Sequence, residues 1–192
     1  MFVTAQDFNR PPYNVSVEDM ENGFDAYIED KEKEVLIKLL GRSLYYAFVA
    51  GLEQLTPDER WLKLRDGSSY VFSNRTYYYD GIKTVLVPYI ASQWYNDNID
   101  SATATGIVIA EHENSSTRES IHRIVKLHNE YYEKAGNLDF CYYDDERTYN
   151  TLLAFVFFSG SMYEDSIGTY GSIQGYLSTV SDTPEPRNIF NL

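Results

Sequence analysis

Apolar residues return every three or four positions along several stretches of this chain, and glycines or turn residues interrupt each stretch, which commits most of the length to short packed helices. The first is announced at Ser16-Val17-Glu18-Asp19, with an acceptor at the cap and carboxylates in the opening turn. Phe24, Tyr27, Ile28, Val35 and Leu39 follow at helical spacing, and Gly41 ends or kinks the run before a shorter helix over Ser43 to Leu52. Thr56-Pro57-Asp58-Glu59 predicts another start, a threonine cap with proline at the first helical position, and Asp66-Gly67 stops it. Ile82, Val85, Leu86, Tyr89, Ile90 and Trp94 form a stripe that Pro88 should bend or split. Ser116 to Glu119 predicts a third capped start, and Gly136 closes the helix that follows. A last helix is predicted from Asp145 to Phe158, apolar nearly all round and therefore needing cover on two sides. Between these helices, Tyr70 to Phe72, a turn at Ser73-Asn74-Arg75, and Thr76 to Tyr79 read as a small hairpin or two short extended pieces.

The fold class expected is mainly α: a helical bundle of about five helices with a small extended or hairpin element and an extended C-terminal arm. Residues 1–15 are read as an N-terminal arm, 16–158 as the helical domain, and 159–192, rich in Gly, Ser and Thr with isolated aromatics, as a segment without a core of its own.

Composition narrows the function classes. The chain has 192 residues with 16 basic and 29 acidic, a net charge of −13. Duplex nucleic acid is gripped through clustered Lys and Arg, which this pattern lacks. Cys141 is the only cysteine, which excludes an internal disulfide and any Cys-cluster metal site and suits a reducing compartment. Neither a secretory leader nor an apolar run of about 18 residues is read, so no membrane partner is expected. The 18 tyrosines are the anomaly. A ring that is apolar on its faces and polar at its tip suits surfaces wet in one state and covered in another, so the excess is read as contact surface.

No constellation points to chemistry. His122 and His128 sit six residues apart, off the spacing that lets a helix ligate zinc, and His128 falls on the apolar stripe. His112-Glu113 with a tail serine would be the only hydrolase reading, and Ser159-Gly160-Ser161 lacks the strand-to-helix elbow such a nucleophile needs. The glycines of 168–175 match neither phosphate-binding fingerprint. Asp139, Asp144, Asp145 and Glu146 do not have calcium-loop spacing. No catalytic residue, metal or cofactor is expected.

One order of motifs remains: Trp61-x-x-Leu64, Asp66-Gly67, Tyr77-Tyr78-Tyr79-Asp80-Gly81-Ile82-Lys83, a helix with Pro88-Tyr89 and Trp94-Tyr95, Thr103-x-x-Gly106, and a capped helix ending in Tyr131-Tyr132. It resembles the head-to-tail connector (neck adaptor) proteins of tailed phages infecting Bacteroidetes, of the crAss-like type. The resemblance implies a non-enzymatic virion protein in a homo-oligomeric ring, commonly dodecameric. The ring would touch the phage portal protein and other neck or tail proteins, after assembly in the host cytoplasm. Packaged DNA would pass nearby without specific binding. Contact surfaces are then expected at Tyr77, Tyr78, Tyr79, Trp94 and Tyr95, and along the tail at Tyr163, Tyr170, Tyr176 and Phe190. A negative channel wall is expected from Glu18, Asp19, Glu21, Asp25 and Glu29 or from Asp139, Asp144, Asp145 and Glu146, because like charge keeps DNA from sticking. The alternative from another class is an acidic phage regulatory protein that mimics DNA and binds a host nucleic-acid-handling protein.

Overall fold

The computed structural model describes residues 2–13, 15, 23–99, 114–136, 149–158 and 160–163, with 98–99 and 114–120 described for the backbone only. It is mainly α: a 3₁₀ turn at Ala5–Phe8, then α1 (Asp25–Leu52), α2 (Glu59–Asp66), β1 (Ser68–Phe72), β2 (Arg75–Tyr79), α3 (Lys83–Ile99), α4 (Asn114–Ala135) and α5 (Leu152–Phe157).

The long α1 buries Ile28, Val35, Leu36, Leu39, Leu40, Leu44 and Phe48 along one side. Gly41 interrupts it with φ 74°, a conformation that costs L-residues and that glycine adopts freely, so the expected break is a kink within one element. The predicted cap at Ser16 lies outside the described residues. An 18-residue window of α1 has mean hydropathy 1.4, enough by length and composition to cross a membrane. Of that window 39% is buried, Val35, Leu36, Leu39, Leu40, Leu44 and Phe48 among it, and charges at Lys38 and Arg42 interrupt it, which is why the sequence shows no unbroken apolar run.

Three helix limits differ from the sequence expectation. At α2 the cap is Asp58, whose carboxylate accepts from Arg60 N at 3.0 Å, and not Thr56; Pro57 precedes the cap instead of opening the helix. The fourth helix begins at Asn114, so Ser116 falls inside it. Asp145 to Phe158 is not one helix: Thr151 caps a new one, its hydroxyl accepting from Ala154 N at 3.3 Å. All six residues of α5 are buried, as an apolar circumference requires. Pro88 is accommodated inside α3, which is not split.

The hairpin has a two-residue turn, Ser73-Asn74, with φ of 51° and 61° at the two positions, the geometry that matches strand twist. Its register pairs Ser68 with Tyr79, Tyr70 with Tyr77 and Phe72 with Arg75. These residues share the inner face, where Tyr70 and Tyr79 meet Phe155 at ring separations of 5.4 and 4.6 Å. Ser69, Val71, Thr76 and Tyr78 share the outer face and are all exposed.

Both terminal segments depart from the arm reading where they are described. Val3, Phe8 and Val15 are buried, Phe2 stacks on Phe48 at 5.0 Å, and Phe8 meets Phe24 at 5.1 Å. Glu32 holds this segment, its carboxylate accepting from Phe2 N at 2.8 Å and Val3 N at 3.2 Å. At the other end Ser161 and Tyr163 are buried, so the helical core runs past residue 158. Residues 164–192 lie outside the described residues.

Candidate functional site

Tyrosine is spent in two ways, and this decides which of the expected contact residues are open to a partner. Tyr77, Tyr79 and Tyr163 are buried in the chain's own core, which corrects their assignment to an external surface. The physical reason is that each ring packs on other rings of the core, Tyr77 on Tyr70 and Tyr149, Tyr79 on Phe155, and Tyr163 on Trp61 and Phe155, while the hydroxyls of the last two reach main-chain carbonyls. Tyr79 donates to Leu64 O at 3.2 Å and Tyr163 donates to Arg60 O at 2.7 Å. Trp94 is half-buried between Phe24 and Tyr27, at 4.8 and 5.0 Å. Tyr95 donates to Tyr13 O and lies under the Arg123 guanidinium at 4.5 Å. Tyr78 alone of the tyrosine run is open, at 62% exposure, with Val71 diagonal to it on the same hairpin face. Tyr46 and Leu55, which the sequence did not single out, are also exposed. Tyr170, Tyr176 and Phe190 lie outside the described residues.

Of the acidic candidates, Asp25 and Glu29 are exposed on the first turns of α1. Glu18, Asp19, Glu21, Asp139, Asp144, Asp145 and Glu146 lie outside the described residues. Two further carboxylates of α1 are not free to act at a distance. Glu32 is turned inward, and Glu34 is held by Lys38 at 2.8 Å and Lys31 at 3.4 Å, which keeps its carboxyl below the usual glutamate range.

The most developed polar feature is a cleft of about 430 Å³ that the sequence did not announce. Two glycines next to its lining residues bring part of its wall together. Gly67 ends α2 and Gly81 ends the hairpin, with φ of 94° and 92°, and their backbones pass so closely that a Cβ on Gly67 would lie 2.5 Å from Tyr79 O. Only glycine fits such an approach. The Asp66-Gly67 pair, read as a helix stop, and the Asp80-Gly81 pair before α3 are thus one joint, bridged by Ile82 N donating to Arg65 O at 3.1 Å. The joint delivers Arg65, Asp66 and Asp80 to the cleft; α3 adds Lys83, α4 adds Glu130 and Lys134, and the N-terminal turn adds Asp7, Arg10 and Tyr13.

Each carboxylate in the cleft has a partner. Asp7 takes Lys83 at 2.9 Å, Asp80 takes Lys134 at 2.7 Å, Asp66 takes Arg65 at 2.7 Å, and Glu130 accepts from the Tyr13 hydroxyl at 3.1 Å. Burial opposes ionisation of Asp7, but hydrogen bonds from Thr4 and Lys83 hold its carboxyl below the usual aspartate range. Arg65 does the same for Asp66. Burial, reinforced by Glu130, pushes the Tyr13 phenol up to about 12. Arg10 is exposed and, among the described residues, forms no ion pair. Sequence spacing could not have revealed this set, because it converges from positions 10, 65, 83 and 134.

Of the residues weighed for catalysis, those that are described have structural or exposed positions. His128 is buried against Tyr131 at 5.6 Å and His122 is exposed. The Ser161 hydroxyl donates to Val156 O at 2.6 Å and accepts from Tyr163 N at 3.2 Å, a structural role closing the turn after α5. His112, Glu113, Cys141 and Ser159 lie outside the described residues. Among the described residues no group of three His, Cys, Asp or Glu is placed to hold a metal ion. Comparison with protein-family models, with curated proteins and with solved structures finds no match in any of the three.

Proposed function

We propose that this chain is a structural virion subunit: a member of the ring that joins a phage portal to the tail and continues the DNA channel. The observation that carries the reading is the outer hairpin face. Val71 and Tyr78 stand diagonal and exposed, at 65% and 62%, on a strand pair whose other face buries Tyr70, Tyr77 and Tyr79 in the core. Two neighbouring exposed apolar side chains on a face otherwise made of Ser69 and Thr76 form a small apolar patch that a partner can cover. The motif order from Trp61 to Tyr132 supplies the kind of neighbour: copies of the chain and the adjoining neck proteins. The regulatory, DNA-mimicking alternative draws less support. A mimic needs rows of unneutralised carboxylates, whereas Glu32 is buried and Glu34 is paired twice.

The test is assembly. Sedimentation and negative-stain microscopy of the purified chain, alone and with the portal protein, should show rings or portal-bound rings. Tyr78→Ala with Val71→Ser should reduce assembly by about tenfold or more while leaving thermal stability unchanged, as expected for interface residues outside the core. A chain that stays monomeric with and without portal overturns the reading.

A further inference from the structure

We propose that the outer edge of β1 is a strand-docking site, and that residues 176–180 of the same chain, Tyr-Leu-Ser-Thr-Val, are its occupant, adding a third strand to the hairpin. The inference stands apart from the ring reading, and either can fail without the other.

The register shows which edge is open. Tyr78 N donates to Asn150 Oδ1 at 2.8 Å, away from β1, so Ser69 and Tyr78 are a pair that does not exchange main-chain bonds. Alternation along an antiparallel pair then turns the main-chain groups of Ser69 and Val71 outward as well. The Ser68 hydroxyl donates to Ser69 O at 3.0 Å, and neither the Ser69 nor the Val71 amide has an acceptor among the described residues. The β2 edge is covered at Tyr78 by a side chain, whereas β1 leaves two donors on one side. Ser68-Ser69-Tyr70-Val71-Phe72 also lacks the charge, proline or bulge that guards an exposed edge.

The chain passes from the covered edge to the open one. Asn150 stands at β2 just before α5 begins, and Phe158, just after α5 ends, packs on the β1 rings of Tyr70 and Phe72 at 4.7 and 6.0 Å. Tyr163, the last described residue, shares the Phe155 ring with Tyr70, at 5.7 and 5.4 Å. Residues 164–175 then separate Tyr163 from Tyr176 and can span about 40 Å when extended, several times the roughly 10 Å of one packed layer. A tether of that length holds its far end at an effective concentration on the order of millimolar.

The sequence beyond Tyr163 supplies a segment that reads as a strand. Residues 166–181 carry no charge in a chain of net charge −13, so this stretch meets an uncharged edge without repulsion. Within it, 176–180 belongs to the longest run free of glycine, and Tyr176, Thr179 and Val180 are aromatic or β-branched, the residue types that favour a pleated strand. Its five residues match the five of β1. Pro184 and Pro186, which cannot donate to a ladder, lie beyond it. Main-chain bonds supply the affinity in strand addition of this kind. Docking there moves Val71 from an edge strand to a central one and widens the outer face that Val71 and Tyr78 begin.

The experiment is residue-resolved amide hydrogen exchange on the full-length chain. The Ser69 and Val71 amides should exchange about a hundredfold or more slower than open amides, at every protein concentration, since the occupant is tethered. Ser178→Pro and Thr179→Pro test the occupant. Neighbouring amides of a strand point to opposite sides, so one of the two variants must remove a bond to β1. That variant should speed exchange at Ser69 and Val71 by about tenfold or more. Tyr70, whose amide faces Tyr77, should keep its rate, which shows that the hairpin is intact. Fast exchange of Ser69 and Val71 in wild type overturns the docking site. Protection that neither proline relieves, or that appears only as concentration rises, gives the edge to a different segment or to a second copy and overturns the assignment to 176–180.

Discussion

At the hairpin, the phenols of Tyr70, Tyr79 and Tyr163 donate to the main-chain carbonyls of Tyr149, Leu64 and Arg60, and their rings close around Phe155. In the cleft, Tyr13 donates to the carboxylate of Glu130, at the rim of a volume lined by charged groups. The same side chain thus seals a dry core in one region and orders a wet surface in the other. Where a ring packs against rings and its hydroxyl reaches a carbonyl that would otherwise be orphaned, tyrosine acts as a phenylalanine with one obligatory bond. Where its partner is an ion, the hydroxyl becomes part of an electrostatic set that solvent and salt can loosen. Stability should therefore concentrate in the hairpin cluster, and salt and pH sensitivity in the cleft.

The largest test of that division is Phe155→Ala. Phe155 is buried and touches Tyr70, Tyr79 and Tyr163, so truncation leaves a cavity that three rings must collapse into. Urea unfolding should show a loss of about 3–5 kcal/mol, the range for removing a buried phenyl ring. A loss near that of an exposed ion pair, under about 1 kcal/mol, would mean that the cluster is not where the fold is held.

Next comes the N-terminal segment, which separates a docked element from an arm. Glu32→Ala leaves the amides of Phe2 and Val3 without their acceptor, and should cost about 1–3 kcal/mol. Glu32→Gln keeps an acceptor and removes a charge. Burial raises the Glu32 carboxyl above the ordinary value of 4.5, against the pull of the Phe2 and Val3 amides. A raised value means the folded state holds the proton more tightly. The associated stability is present below 4.5 and is lost as pH climbs through the raised value. The glutamine variant has no such loss. Its stability relative to wild type should therefore increase from acid towards neutral pH, and a gap independent of pH would break the assignment.

What the sequence disclosed follows the range of the interactions. The helical stripes, the Gly41 kink, the hairpin turn and the Gly136 stop rest on neighbours within a few residues, and period and turn chemistry expose them directly. The shift from Thr56 to Asp58 reflects two competent cap residues side by side, with Pro57 tolerated before the helix as well as at its start. The break at Thr151 is masked in the sequence because Tyr149, Leu152, Leu153 and Val156 keep helical spacing across Asn150 and Thr151. Long-range pairings were not legible at all. Glu32 finds Phe2 across 30 positions, Lys134 finds Asp80 across 54, and Tyr163 reaches Arg60 across 103. Tyrosine count could not say which rings would be covered by the chain itself, since that depends on those pairings.

The smallest expected effect lies in the cleft, at Tyr13→Phe. The hydroxyl contributes one bond to an ion at a half-exposed position, so the cost at neutral pH should be under about 1 kcal/mol. Its signature is in the alkaline range. Burial and the adjacent Glu130 carboxylate raise the Tyr13 phenol from 10.0 to about 12, so the folded state keeps a proton that the unfolded chain releases earlier. The stability linked to Tyr13 is complete below pH 10 and declines as pH rises through about 12. Phenols of the hairpin cluster are displaced in the same direction, so alkaline unfolding itself will persist in the variant. What should change is the slope between those two values, shallower in Tyr13→Phe than in wild type. Equal slopes would place the Tyr13–Glu130 bond in solvent and remove Tyr13 from the electrostatic set that orders the cleft.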